Sequence, residues 1–266
     1  MDVPMPIRKV RPLKALRALR YAWEVVNWTD VFRAYWVDGD VQRLVLRNGV
    51  EFRAHGSVPL MGLYNEVWRH DCYRVRRPPL QPEATVLDIG ANVGVFALYV
   101  AKEFRPRVVY CFEPSPVAAA DLWQNARASE LAGRVQVFPL AVAAREGEQR
   151  LALTRAEVLN RLVPATTSDE QTIWVRCTTL EQIFTRNSIE RCDLLKIDCE
   201  GAEYDIVLTA SESVLRRVRR MAIEWHAVPG HSPQELVERL QSIGFRVQQE
   251  GDPGGKLGYV YAHLPE

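Results

Sequence analysis

From residue 85 onward, short and nearly unbroken apolar runs alternate with stretches of helical period. The runs are TVLDIG, VVYCFE, VQVFPLAVA, IWVRCTTL, DLLKIDCE, RRMAIEWH, FRVQQ and LGYVYAHL. Helical patterns lie between several of them: one ending at Phe104, one near 121–129, one starting at about Gly201 and one near 233–243. A strand that is apolar on both sides of its pleat must be covered on both faces, which selects an α/β fold built on a parallel sheet. The last two runs are joined only by EGDPGG, too short for a helical crossover, so they are expected to form an antiparallel hairpin.

The front of the chain reads differently. Residues 1–82 hold 14 Lys and Arg against 8 Asp and Glu, while 83–266 hold 20 against 25. Much of the excess lies in Arg8, Lys9, Arg11, Lys14, Arg17 and Arg20, beside Leu13, Leu16, Leu19, Trp23 and Val26 at three- and four-residue spacing. That pattern predicts a basic amphipathic helix, whose ordinary use is to pack its apolar stripe on its own domain. Peripheral contact with an anionic membrane is the lesser expectation. Residues 32–54 alternate around turn signals at Asp38-Gly39-Asp40 and Asn48-Gly49, predicting a small antiparallel meander. A helix over 64–73 follows, then a proline-rich linker at 77–82. The expected organisation is an extension over 1–82 and a main domain over 83–266.

The 266 residues carry a net charge of +1, which gives no global case for a nucleic-acid partner. No apolar run approaches the roughly 20 residues of a membrane span. Five cysteines without CxxC spacing argue against a disulfide scaffold or a zinc site, so a cytoplasmic location is expected. Oligomeric state is not written in these features.

Four segments carry chemistry. In VLDIGANVGVF, an apolar strand ends in a small-residue turn with Gly90, Asn92 and Gly94 ahead of a helix. Glycine lets the backbone approach a ligand, and Asn tolerates positive φ best among the other residues. Asp88 stands ahead of the first glycine, where a carboxylate would repel a pyrophosphate. It suits instead the cationic amino-acid end of S-adenosylmethionine, directly or through water. In VVYCFEPSP, Glu113 ends the next strand about 20 residues on, placed to accept both hydrogen bonds of a ribose diol. Adenine is expected near 140–142, with Ala141 at the centre and backbone groups binding the base. In DLLKIDCEGAE, Asp198 ends a buried strand with Lys196 on the same face. Glu200 and Glu203 lie where a helix starts and are read as much as caps as site residues, with Lys196 as an ion-pair partner for these acids. In RMAIEWH, Glu224 and His226 share one face at a strand's carboxyl end.

A parallel sheet closed by an antiparallel hairpin is the Rossmann-like methyltransferase arrangement. LDIGANVGVF, FEPSP with Asn125, KIDCEGAE and IEWH, in that order, resemble the FkbM-type S-adenosylmethionine-dependent methyltransferases over about 85–226. Cys199 stands where the family commonly has Val, and Glu181 where Asp is commoner. The resemblance implies a seven-stranded class I methyltransferase sheet, bound S-adenosylmethionine leaving S-adenosylhomocysteine, and most often O-methylation of a sugar or secondary-metabolite hydroxyl. The alternatives are N-methylation of an amide or amine, including one in a peptide, and a non-catalytic module of the same fold.

Asp198 is the leading candidate to orient or deprotonate the acceptor, His226 is the rival base, and Glu224 supports them. The same three residues are a weak signal for a divalent metal, and a metal-free site is the favoured reading. Glu66, Trp68 and Tyr73 are candidates to wall an acceptor pocket, and the polar stretch 155–171 to form a lid. His231 and His263 read as loop and surface residues.

Overall fold

The computed structural model describes residues 21–36, 39–154, 160–163, 171–252 and 254–265. Its centre is a seven-stranded sheet of β3 (Thr85–Ile89), β4 (Val108–Phe112), β5 (Val135–Phe138), β10 (Leu194–Ile197), β11 (Arg220–His226), β12 (Arg246–Glu250) and β13 (Leu257–His263). The spatial order is β12-β13-β11-β10-β3-β4-β5. The pairs β11–β10, β10–β3, β3–β4 and β4–β5 are parallel, whereas β13 runs antiparallel to both its neighbours. The expected terminal hairpin is present, and the sheet has the seven strands that the resemblance implied.

Alternate residues of each central strand enter different cores. Val86, Val109, Cys111 and Leu194 pack on one face; Leu87, Ile89, Tyr110, Phe112, Leu195 and Ile197 pack on the other. The second face is covered by α5 (Leu180–Arg186), α6 (Glu203–Thr209), α7 (Glu212–Leu215) and α8 (Pro233–Ile243). The first is covered by α3 (Val95–Glu103), by α4 (Pro116–Ala128) and by the front of the chain. There α1 (Trp28–Trp36) is followed by a two-stranded pairing of β1 (Arg43–Val45) with β2 (Glu51–Arg53). Next comes α2 (Leu60–Tyr64), continued by a π-helical turn over Asn65–Arg69. Residues from Tyr21 to Leu80 share one apolar cluster with α3. Among the described residues, no helix is long and apolar enough to cross a membrane.

Three expectations are corrected. The aromatic run in 32–36 is helical, because the chain closes turns from Asn27 and the helix ends where the Gly39 N–H bonds the Ala34 carbonyl at 2.9 Å; only β1 and β2 remain of the meander. IWVRCTTL is β9 (Thr172–Thr178), which lies outside the main sheet. It pairs with β6 (Ala141–Val142) and β7 (Gly147–Ala152) in a second sheet completed by β8 (Arg161–Val163). Along the predicted basic helix, Leu13, Leu16 and Leu19 fall outside the described residues, while residues 22–27 form turns around an antiparallel bridge from Val25 to Leu46. There Tyr21 and Val25 are buried and Trp23 and Val26 are exposed. Most of the expected lid at 155–171 also lies outside the described residues; its described part includes β8.

Candidate active site

The carboxyl ends of β3, β4, β10 and β11 converge on a cavity of about 270 Å3. One half is lined by Gly90, Asn92, Glu113, Ala141 and Val142, the other by Glu66, Tyr73, Asp198, Glu200 and Glu224. Asn160 and Leu162, beside and within β8, complete part of the wall.

The turn after β3 is built by close approach. Gly90 has φ +74°, and a Cβ there would sit 1.7 Å from the Asp198 carbonyl oxygen, so only glycine lets the ends of β3 and β10 lie together. Gly94, at φ +90°, is close to Leu122 of α4, where a Cβ would come within 2.9 Å of Cγ; it packs the helix and does not line the cavity. Asn92 adopts the expected positive φ, 48°. Its N–H donates to Glu113 Oε2 at 2.8 Å, and the Ser115 N–H donates to Oε1 at 2.8 Å. Glu113 is buried, and that burial, opposed by these two hydrogen bonds, raises its pKa to about 7.

Asp88 does not line the cavity. It is 0% exposed and stands opposite Lys196 in the β3–β10 register, with Nζ 3.1 Å from its Oδ1. A carboxylate so deep within the sheet needs a fixed partner, and Lys196 supplies it. Lys196 Nζ also donates to the Gly90 carbonyl at 2.7 Å and lies 3.5 Å from Asp198 Oδ2. Burial works against its charge, but Asp88 and Asp198 outweigh that and raise its pKa. Lys196 therefore joins the turn to the acid cluster, and its acid partners are Asp88 and Asp198 in place of the expected Glu200 and Glu203.

Tyr73 is the residue whose importance sequence reasoning understated. Its hydroxyl is 2.9 Å from Asp198 Oδ2 and 3.1 Å from Glu224 Oε2. Burial first, and then the Asp198 charge, lifts the Glu224 pKa to about 7. Burial likewise raises Glu200 to about 7, with His226 opposing the shift. Glu66 is raised by burial and by the charge of Asp198. Trp68 faces away from the cavity: its indole N–H bonds the Val95 carbonyl at 3.2 Å, and the ring stacks on Tyr64 in the core.

His226 does not line the cavity. Its Nδ1 hydrogen-bonds Glu203, a fully buried carboxylate, and its Nε2 is 3.6 Å from Glu200 Oε2. Burial disfavours the imidazolium, yet the bond to Glu203 and the charges of Glu203 and Glu200 outweigh it, raising the pKa to about 9. Single ligand atoms of Asp198, Glu224 and His226 lie within 4.8 Å of one another, so the three side chains converge as the sequence suggested. His231 sits in a loop, with Nδ1 3.0 Å from Glu235, and His263 is exposed on β13.

The FkbM methyltransferase domain family matches residues 88–247. The chain is 30% identical to the 31-O-demethyl-FK506 methyltransferase FkbM of Streptomyces tacrolimicus over 245 residues, covering 80% of this chain and 92% of that protein. It is 29% identical to the 2-O-methyltransferase NoeI of Sinorhizobium fredii over 181 residues, covering 59% of this chain and 67% of that protein. Among solved structures it is similar to the methyltransferase FkbM of Methylobacillus flagellatus KT, with a TM-score of 0.45, 15% identity, and coverage of 72% of this chain and 48% of that one.

Proposed function

The chain belongs to the FkbM methyltransferase family, and on that footing we propose that it transfers a methyl group from S-adenosylmethionine to a hydroxyl of a small-molecule acceptor. The observation that carries this reading is a single cavity with two chemically different halves: a glycine turn with Glu113 and Ala141, and an acid pair held by Tyr73. The cofactor fits the first half because Gly90 and Asn92 line it beside Glu113, which offers a carboxylate at the wall. When bound, S-adenosylmethionine supplies a methyl group activated by its sulfonium.

Glu113 binds and orients. Each of its oxygens accepts one backbone N–H, and each can accept one hydroxyl more. Asp198 and Glu224 manage the acceptor's proton. The Tyr73 hydroxyl has one hydrogen, so it bonds both carboxylates at once only when one of them carries a proton of its own, and burial raises Glu224 toward that state. With Glu224 titrating near neutrality, the pair is poised to take a hydroxyl proton as the new bond forms. His226, held charged by Glu203 and Glu200, orients those acids; Asp198 with Glu224 is the better-supported base. The O-methyltransferase names of two relatives favour oxygen as the acceptor atom.

Transfer to an amine nitrogen is a second reading, favoured by charge. Glu66, Asp198, Glu200 and Glu224 line the acceptor half, and no basic side chain lines the cavity among the described residues.

Calorimetric titration with S-adenosylhomocysteine, followed by assays on hydroxyl and amine acceptors, tests the proposal. Binding of about −8 kcal/mol is expected, lost in Glu113→Ala, with methyl transfer lost in Asp198→Asn while binding remains. A folded protein that ignores S-adenosylhomocysteine would overturn the reading.

A further inference from the structure

The sheet face that carries Glu224 changes sign along its length. Register sets Glu224, Tyr259 and Glu250 in one row across β11, β13 and β12, and Ala222, Tyr261 and Gln248 in the next row on that face. The row after that is Arg220, His263 and Arg246. Four residues along β11 separate the basic row from Glu224, a span of about 13 Å.

This basic row opens into a cleft of about 930 Å3 beneath the 77–81 linker, lined also by Arg74, Arg77 and Arg219. Tyr73 walls both this cleft and the active-site cavity, so the two lie back to back. The one acid lining the cleft among the described residues, Asp193, is already committed: it accepts the Thr85 N–H at 2.9 Å and pairs with Arg191 at 3.2 Å. Arg74 is committed too, stacked 3.8 Å from the Tyr261 ring centroid and paired with Glu250. Arg220 donates to the Pro78 carbonyl at 2.6 Å, which fixes its guanidinium beneath the linker. Among the described residues, the side chains of Arg77, Arg246 and His263 make no hydrogen bond or ion pair.

Among the described residues, no carboxylate stands in this row. An anion in the cleft meets Arg77, Arg220 and Arg246, which all line it. The cations are guanidinium groups, whose planar fork matches the oxygens of a phosphate. The volume is that of a small-ligand site, and a half-open cleft beside the linker suits a soluble molecule better than a membrane surface. We propose that this cleft binds a phosphate ester of nucleotide size, held by Arg77, Arg220 and Arg246, at a site separate from the methyl-transfer cavity. The proposal does not depend on the methyl-transfer reading.

The test is calorimetry on the full chain with pyrophosphate, with citrate as a carboxylate control and phosphatidylglycerol vesicles as a membrane control. Pyrophosphate should bind with one-to-one stoichiometry and more tightly than citrate. The double variant Arg77→Ala/Arg246→Ala should weaken it by about tenfold or more, near 1.4 kcal/mol, with an unchanged melting temperature. Absence of a pyrophosphate signal in folded protein overturns the proposal. So does binding that the double variant leaves intact, or binding to vesicles alone.

Discussion

The Tyr73 hydroxyl lies 2.9 Å from Asp198 Oδ2, across 125 residues of sequence. Tyr73 belongs to the front of the chain and Asp198 to the end of a central strand, so the acid cluster is completed by a segment outside the sheet. The Tyr73 ring packs edge-on against Phe96 and Tyr259, at centroid distances of 5.2 and 6.1 Å, which fixes where its hydroxyl points.

Replacing Tyr73 with Phe keeps that packing and removes only the shared hydrogen. The expected result is a kcat lowered by roughly tenfold to a hundredfold, about 1.4–2.7 kcal/mol, with unchanged affinity for S-adenosylhomocysteine. Initial rates and calorimetry on the same preparation decide it, and a Phe variant with full kcat would remove Tyr73 from the mechanism.

The buried pair of Lys196 and Asp88 sets up a stability prediction. Side-chain exposure is 4% and 0%, so Lys196→Met leaves a fully buried carboxylate without its cation. Breaking a buried pair from one side costs about 3–5 kcal/mol, readable as a shift in the urea midpoint. The double variant Asp88→Asn/Lys196→Met should recover much of the loss, because the stranded charge is gone. Equal losses in the single and double variants would mean that Lys196 matters mainly through the Gly90 carbonyl, which it bonds at 2.7 Å.

Gly90→Ala should be among the most damaging small substitutions available. The added carbon meets backbone 1.7 Å away, at a φ of +74° that side chains resist. A loss above about 3 kcal/mol is expected. Gly133→Ala is the control, since nothing lies within 4 Å of its Cβ position. Melting temperatures of the two variants should separate widely; similar values would show that β3 and β10 can part at little cost.

Which features were legible in the sequence follows from how local they are. The Gly90–Gly94 turn, the positive φ of Asn92 and the placing of Glu113 at a strand end all depend on neighbours within a few residues, and spacing exposes them. The main sheet was legible because its central strands β3, β4 and β10 are fully buried runs. The same reasoning misassigned β9, since an apolar run reads alike whether it joins the main sheet or the smaller one. The aromatic run in 32–36 is short enough to satisfy strand and helix periods together, and it lies in a helix. The Lys196–Asp88 pair and the reach of Tyr73 depend on long-range register, 108 and 125 residues away, which no local pattern records.

Chelation tests the convergence of Asp198, Glu224 and His226. The His226 ring is committed through Nδ1 to Glu203, and Tyr73 already bonds both acids. The proposed reaction needs only that arrangement, so exhaustive EDTA treatment should leave the methyl-transfer rate unchanged. Loss of activity restored by magnesium or manganese would reassign the three side chains as ligands to a divalent cation.

Cofactor binding should depend on pH through Glu113. Its pKa in the empty protein is raised to about 7, from an ordinary 4.5, by burial that the Ser115 and Asn92 N–H groups only partly offset. Below that value the group is largely a neutral acid, and one oxygen then carries a hydrogen where a ribose hydroxyl needs an acceptor. Affinity for S-adenosylhomocysteine should therefore fall as pH drops through 7, by up to about tenfold per unit, and level off above it. The Glu113→Gln variant should bind weakly at every pH, without that slope. Calorimetry between pH 5.5 and 8.5 separates the cases, and a wild-type affinity that is flat across this window would show that Glu113 keeps its charge in the empty site.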